Sequence, residues 1–431
     1  MGSDRLIARR LAIVLLAIVG MTGCQHEAPG EPSAPHSARQ SETVELGPRP
    51  FYLLDRLAPG PLRTRLDECR AGPFRSSRFS IGHRGAPLQF PEHTRESYLA
   101  AARMGAGAIE CDVTFTRDRV LVCRHSQCDL ASTTNILSTP LAARCREPFV
   151  PARLDPDSGG LLAPARATCC TSDLTAEEFL SLEGRMDAHD PYALTADEYA
   201  RATPSWRTDL YTNHGTLMTH AESVALFRSL GVAMVPELKA PEVPMPFDGD
   251  YSQRAYADQL LQAYVDAGVS PEDVQLQSFD PDDVRHWLAV APEYGARAIW
   301  LDGRDPREGA PEAEVFATLA REGFRTLAPP IPVLLRLDDA GALRATPYAE
   351  RARAAGLELV TWTLERSGRI AAGRVEGRES DFYLGPLLPA LRSDGDVYRV
   401  LDALVREAGV RAVFSDWPAT TTYYASCEGL E

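Results

Sequence analysis

Along this chain, short apolar runs alternate with stretches whose apolar residues recur at helical spacing. Strand-like runs are read at 79–83, 108–115, 120–125, 232–238, 274–279, 296–301, 325–328, 358–363 and 412–416. Amphipathic helices are predicted at 94–104, 219–230, 252–267, 281–291, 311–322, 346–355 and 396–408. Alternation sustained over this length predicts an α/β fold with a parallel sheet, and a TIM (β/α)8 barrel fits the number of runs. Nine runs exceed eight places. The link Thr116-Arg117-Asp118-Arg119 is too short for a helix, so 108–115 and 120–125 are expected to pair as a hairpin. Two stretches break the alternation. Residues 136–215 carry Cys145, Cys169 and Cys170, many prolines, and Asp-Pro and Gly-Gly breaks, so a disulfide-pinned insertion is expected there. Residues 365–395 form a smaller excursion. Both follow strands, which places them over the catalytic end of a barrel assigned to 61–425.

The N-terminus reads differently. Arg5, Arg9 and Arg10 precede an apolar run from Leu11 to Met21, then Thr22-Gly23-Cys24. A basic start, a short apolar core and small residues before a cut site describe an export signal over 1–23, and the run is too short to span a bilayer. Met-Thr-Gly-Cys resembles a bacterial lipobox, which implies a lipidated Cys24 and a membrane-anchored protein of the bacterial cell envelope, periplasmic or on the cell surface. Residues 24–60 are expected to be a flexible tether, on the strength of the Pro-, Ser- and Glu-rich segment after Cys24. Eight further cysteines, an even number in an exported chain, imply disulfides, with the pairing left open. The formal charge of −15 argues against nucleic acid or an anionic surface as a broad partner.

Composition also marks one position. Of 45 basic residues, Lys239 alone is a lysine. It lies two residues after Glu237 in the 232–238 run, so an ammonium and a carboxylate project from one strand face. A compact point charge kept where arginine is used everywhere else points to a crowded site. Glu110 and Asp112 likewise share a strand face. If the strand bearing Glu237 lies nearby, three carboxylates converge, and they are tolerable together as anions with a cation between them. All-oxygen ligation indicates a hard ion, with Ca²⁺ expected in an exported protein and Mg²⁺ the alternative. His83 and His125 each end an apolar run, where barrel enzymes carry acid and base groups. Arg84 offers a fork that suits phosphate.

The ordered motifs are His83-Arg84-Gly85, Pro91-Glu92-His93-Thr94, Ile109-Glu110-Cys111-Asp112-Val113, a strand ending in His125, and Pro236-Glu237-Leu238-Lys239. Together they resemble the glycerophosphodiester phosphodiesterase family, in its exported, insertion-bearing branch, over about residues 78–418. The resemblance implies a TIM barrel with one divalent metal on Glu110, Asp112 and Glu237, and His83 and His125 as the acid/base pair. It places Arg84 and Lys239 on the phosphate and Glu92 near the substrate. The implied reaction is hydrolysis of a small glycerophosphodiester to glycerol 3-phosphate and an alcohol. Two departures stand out: Ser126 follows His125 where the family carries Asp, and the 117–119 turn lacks the common Gly. Head-group removal from intact lipid, in the manner of a phospholipase D, and a non-catalytic binding lipoprotein are the competing readings.

Overall fold

The computed structural model describes residues 44–208, 211, 215–375 and 381–430. The expected signal segment, Cys24 and the first part of the tether lie outside the described residues. Two helices, α1 (Arg49–Arg56) and α2 (Pro61–Glu68), lead into β1 (Ser77–Gly82) and α3 (Arg95–Arg103). β2 (Ala106–Phe115) and β3 (Leu121–Cys123) follow, then α4 (His220–Leu230), β4 (Ala233–Leu238), α5 (Gln253–Asp266) and β5 (Gln277–Ser278). The chain continues through α6 (Pro281–Val290), β6 (Ile299–Leu301), α7 (Ala313–Glu322), β7 (Thr326–Ala328), α8 (Pro347–Ala354) and β8 (Glu358–Leu364). It ends in α9 (Val397–Arg406), β9 (Val410–Ser415) and α10 (Pro418–Glu428).

Eight parallel strands close into a barrel. The order runs β1, β9, β8, β7, β6, β5, β4, β2, and β2 returns to pair with β1. The ninth run, β3, pairs antiparallel with β2 alone, as the short link requires. Ile81, Ala108, Val235, Ile299, Val360 and Phe414 fill the interior. The outer faces of the strands pack against the helices in one continuous core.

Local signals agree with these boundaries. Thr94, Ser252 and Thr346 accept the backbone N–H groups that open α3, α5 and α8, and Thr219 with Glu222 forms a capping box on α4. Gly231 ends α4 in the left-handed conformation. The residues expected to be an insertion form two small antiparallel ribbons, 147–150 with 166–168 and 153–154 with 161–163, over a core of Ile136, Leu174, Phe179, Leu182 and Tyr199. Cys145–Cys169 and Cys128–Cys170 pin it. The remaining bridges are Cys111–Cys123 and Cys69–Cys427, so all eight cysteines downstream of Cys24 are paired. No helix among the described residues is long and apolar enough to cross a membrane.

Two expectations need correction. The tether does not extend to residue 60. Pro50, Leu53 and Leu54 of α1 are buried, Tyr398 donates to the Pro50 carbonyl, and Cys69 ties the segment after α2 to α10. The polar run after Cys24 set the expected boundary, and α1 is too short for its periodicity to have moved it. Helix α10 is absent from the predicted elements. Residues 418 to 425 are all buried, so there is no polar face to mark a helical period, and Thr420-Thr421-Thr422-Tyr423-Tyr424 has the composition of a strand.

Because Leu53 is fully buried, Leu53→Ala is expected to destabilise the protein by about 2–5 kcal/mol, read as a lowered Tm. An unchanged Tm would return this segment to the tether.

Candidate active site

The His83-Arg84-Gly85 turn leaves β1 and folds back sharply. Arg84 has φ 55° and Gly85 φ 94°. A Cβ at Gly85 would lie 2.4 Å from Ser97 Oγ, so the turn can approach α3 only with glycine there. His93 N–H donates to the Arg84 carbonyl at 3.0 Å, and Arg84 N–H donates to Glu110 Oε2 at 3.0 Å. This places His83 at the barrel mouth, with Nε2 3.8 Å from Glu110 Oε2 and Nδ1 2.5 Å from Asp416 Oδ1. Burial lowers the His83 pKa to about 4, helped by Arg84 and opposed by Asp416.

The carboxylates meet through strand register. Val235 of β4 lies beside Glu110 and Glu237 beside Asp112, so the acids share one face of adjacent strands. Ligand oxygens of Glu110, Asp112 and Glu237 lie within 4.8 Å of one another, and all three residues are buried. Gln277 Nε2 donates to Glu110 Oε1 at 2.8 Å, and His93 Nε2 lies 2.9 Å from Asp112 Oδ2. Burial and the two neighbouring carboxylates push Glu110 well above the usual carboxylate range. Glu237 is raised to about 8, first by burial and also by Asp112. Burial opposes ionisation of Asp112 as well, but Lys239 and His93 hold it low. Lys239 Nζ contacts Glu237 Oε1 at 2.6 Å, off the hydrogen-bonding direction, and Asp112 Oδ1 has no hydrogen-bond partner. A hard cation fits this set: the oxygens converge, two lack a directed donor, and ionising all three needs positive charge.

His125 reaches the same cavity from the β2–β3 hairpin. Cys111 lies between Glu110 and Asp112, and its bridge to Cys123 fixes the hairpin two residues before His125. Arg124 N–H donates to the Asp112 carbonyl at 2.8 Å, and the buried Arg124 guanidinium donates to the carbonyl of Glu92. Burial, then Arg84 and Lys239, lower the His125 pKa well below the ordinary value. Ser126 turns away and donates to Glu242 at 2.5 Å. Two carboxyls lie near His125, those of Glu92 and Asp129, and ligand atoms of the three residues lie within 4.8 Å of one another, a second group that could hold a metal ion. Asp129 accepts from Ser126 N–H at 3.0 Å and is raised by burial to about 6.

Arg84 Nη1 donates to Glu92 Oε2 at 2.8 Å, and its Nε lies 3.7 Å from Asp112 Oδ2. Thus His83, Arg84, Glu92, Glu110, Asp112, His125, Glu237 and Lys239 surround one region, with a cavity of about 390 Å³ above it. Sequence reasoning missed several groups that hold them. Asp416 directly follows β9 as His83 directly follows β1, and that shared position just past a strand end was the available signal. Arg366 donates to Asp416 at 2.9 Å and to Asp187 at 2.8 Å, and lies 3.4 Å from Glu92. It joins the 365–395 excursion to the insertion, and no local pattern marks either partner.

Residues 83–420 match the model of the glycerophosphoryl diester phosphodiesterase family. The chain belongs to this family. It is therefore a phosphodiesterase built on the family's barrel. An extracellular protein of Arthroderma benhamiae is 45% identical over 248 residues, covering 57% of this chain and 100% of that protein. The probable glycerophosphodiester phosphodiesterase 1 of Mycobacterium tuberculosis is 45% identical over 71 residues, 16% of this chain and 26% of that protein. A crystal structure from Silicibacter pomeroyi that carries the same family name shares the fold, with TM-score 0.52 and 18% identity over 85% of this chain and 99% of that one. The four disulfides are consistent with export.

In metal-free protein the His83 imidazole resonance is expected to titrate near pH 4. Asp416→Asn should lower that midpoint, because the carboxylate favours the protonated ring. The folded state binds fewer protons than the unfolded chain between about 6.5 and about 4. The stability His83 contributes is therefore complete above the higher value and lost as pH falls through the lower. A midpoint near 6.5 would contradict the buried placement.

Proposed function

We propose that this chain hydrolyses glycerophosphodiesters to glycerol 3-phosphate and an alcohol, at a divalent cation held by Glu110, Asp112 and Glu237. The observation that carries this is the convergence of those three buried carboxylates beside His83, His125, Arg84 and Lys239. Ca²⁺ is the proposed ion, with Mg²⁺ the alternative, because the donors are all oxygen and the chain is read as exported. The bound cation would offset charge on the phosphodiester's non-bridging oxygens.

Each side chain then has a defined task. Arg84 and Lys239 draw the phosphodiester to the cavity floor and stabilise the charge that grows on it. Glu92 holds the Arg84 fork in place. Asp416 fixes the His83 ring through Nδ1 and leaves Nε2 facing the reacting region. A neutral imidazole backed by a carboxylate suits the task of taking the nucleophile's proton. His125 is the second proton-transfer group: the anionic phosphodiester beside it would raise its lowered pKa, so that it can deliver a proton to the leaving oxygen and make the alcohol a competent leaving group. The proposed nucleophile is the glycerol's own neighbouring hydroxyl, after which water opens the cyclic phosphate; direct attack by water is the alternative. Cys24 is proposed as the lipidated N-terminus that would hold the enzyme at the cell envelope.

The mature chain is expected to release glycerol 3-phosphate from glycerophosphocholine with Ca²⁺, and EDTA should abolish the release. Folded protein that releases none in either condition would overturn the reading. Glu110→Ala should remove metal-dependent turnover entirely, and surviving activity would remove Glu110 from the ligand set. Lys239→Arg should cost about 10²-fold or more in kcat with an unchanged circular dichroism spectrum. Full activity in that variant would mean that the position needs a positive charge and no particular shape.

A further inference from the structure

The cavity above the carboxylates has two walls of different chemistry. One carries Asp129, Ser132, Thr133 and His189, and the other carries Phe279, Trp362 and Tyr383. Phe382 extends the second wall. Its ring stacks on Trp362 at 5.9 Å and 23°, and meets Tyr383 edge-on at 5.2 Å and 88°. Phe279 meets Trp362 edge-on at 5.8 Å and 82°. The rings come from three places: the end of β5, β8, and the 365–395 excursion. They nevertheless form one continuous aromatic surface. Phe279 is 42% exposed and Phe382 51% exposed, although both have neighbours to pack on. Apolar area left open at the mouth of a polar cavity is area that a ligand can cover.

The surroundings narrow the ligand. The carboxylates described close to this wall are already engaged. Asp187 pairs with Arg207 and Arg366, Asp416 pairs with His83 and Arg366, and Asp381 accepts from Ser367 Oγ and Leu384 N–H. A primary ammonium would shed strongly held water here and meet no unpaired carboxylate among the described residues of this wall. A trimethylammonium is weakly hydrated, apolar on its surface and still cationic, so ring faces suit it. Lys239 Nζ lies 5.9 Å from the Phe279 centroid, so that ring already faces a cation, and Trp362, Phe382 and Tyr383 are the rings left for the ligand. With the phosphate held at the floor by Arg84 and Lys239, the glycerol hydroxyls match the polar wall. The alcohol then falls on the aromatic one.

We propose that Trp362, Phe382 and Tyr383 form the head-group subsite, with Phe279 closing the wall towards Lys239, and select a quaternary ammonium, so that glycerophosphocholine is preferred to glycerophosphoethanolamine. This rests on reading the chain as a glycerophosphodiester hydrolase, and it adds a specificity that the catalytic groups do not supply.

The test compares kcat and KM of the metal-loaded mature protein on glycerophosphocholine, glycerophosphoethanolamine and glycerophosphoglycerol. Phe382→Ala and Phe382→Leu are measured alongside. The wild type should favour the choline diester by about tenfold in kcat/KM. Phe382→Ala should raise KM for that diester about three- to tenfold with kcat little changed. Phe382→Leu keeps apolar area and loses the π face, so it should behave like the alanine variant. Equal kcat/KM on all three diesters would overturn the proposal, as would full recovery in Phe382→Leu. Faster turnover of lysophosphatidylcholine than of glycerophosphocholine would assign the wall to an acyl chain, which also overturns it. Binding separates this proposal from the catalytic reading. Tetramethylammonium should quench tryptophan fluorescence saturably in the wild type and more weakly in Phe382→Ala, whether or not any diester is cleaved. No saturable quenching would remove the subsite. Quenching without turnover of any diester would leave the subsite standing and contradict the hydrolase reading.

Discussion

Glu110, Asp112 and Glu237 project from the same face of two adjacent strands, and the register of those strands gives them no way to separate. Their mutual repulsion inside a buried barrel mouth is the constraint that the rest of the site answers. Part of the answer is local: Gln277 donates to Glu110, His93 meets Asp112, and Lys239 lies against Glu237. These partners satisfy some oxygens and leave others without a directed donor. The raised pKa values of Glu110 and Glu237 express the same imbalance, and a cation would remove it.

Around that centre the protein uses rigid devices. The Cys111–Cys123 bridge joins the strand that carries two of the acids to the hairpin that carries His125. Asp416, just past the last strand, holds His83, just past the first, so barrel closure and ring orientation are one event. Arg366 then connects Asp416, Glu92 and Asp187, tying the excursion and the insertion to the floor of the cavity. Geometry set in this way needs little reorganisation as charge develops on a substrate, which is the main source of catalytic power in sites of this kind.

Much of this was legible in the sequence, for identifiable reasons. The parallel strands are short apolar runs separated by capped helices, and period and punctuation give both. Glu110 and Asp112 could be placed on one face because strand spacing is fixed at two residues. Lys239 was visible through composition alone. What stayed hidden depends on contacts between distant segments. Helix α1 became part of the domain only through its packing against α9, α10 and the end of the 365–395 excursion. Helix α10 lacked a polar face. Arg366 and Asp187 meet across 179 positions of sequence. Ser126 looked like the loss of a carboxylate beside His125, but Asp129, three residues on, occupies that neighbourhood.

The central claim is that the three carboxylates are crowded because they are built to hold a cation. Thermal unfolding of the wild-type protein and of Glu237→Gln, each with EDTA and with Ca²⁺, tests it most directly. The account predicts that Ca²⁺ raises the wild-type Tm by stabilising the folded state. It also predicts that Ca²⁺ gives Glu237→Gln little or no gain, because one of the three proposed ligands is lost. A wild type indifferent to Ca²⁺ and other divalent ions, or a variant that keeps the full Ca²⁺ shift, would contradict it.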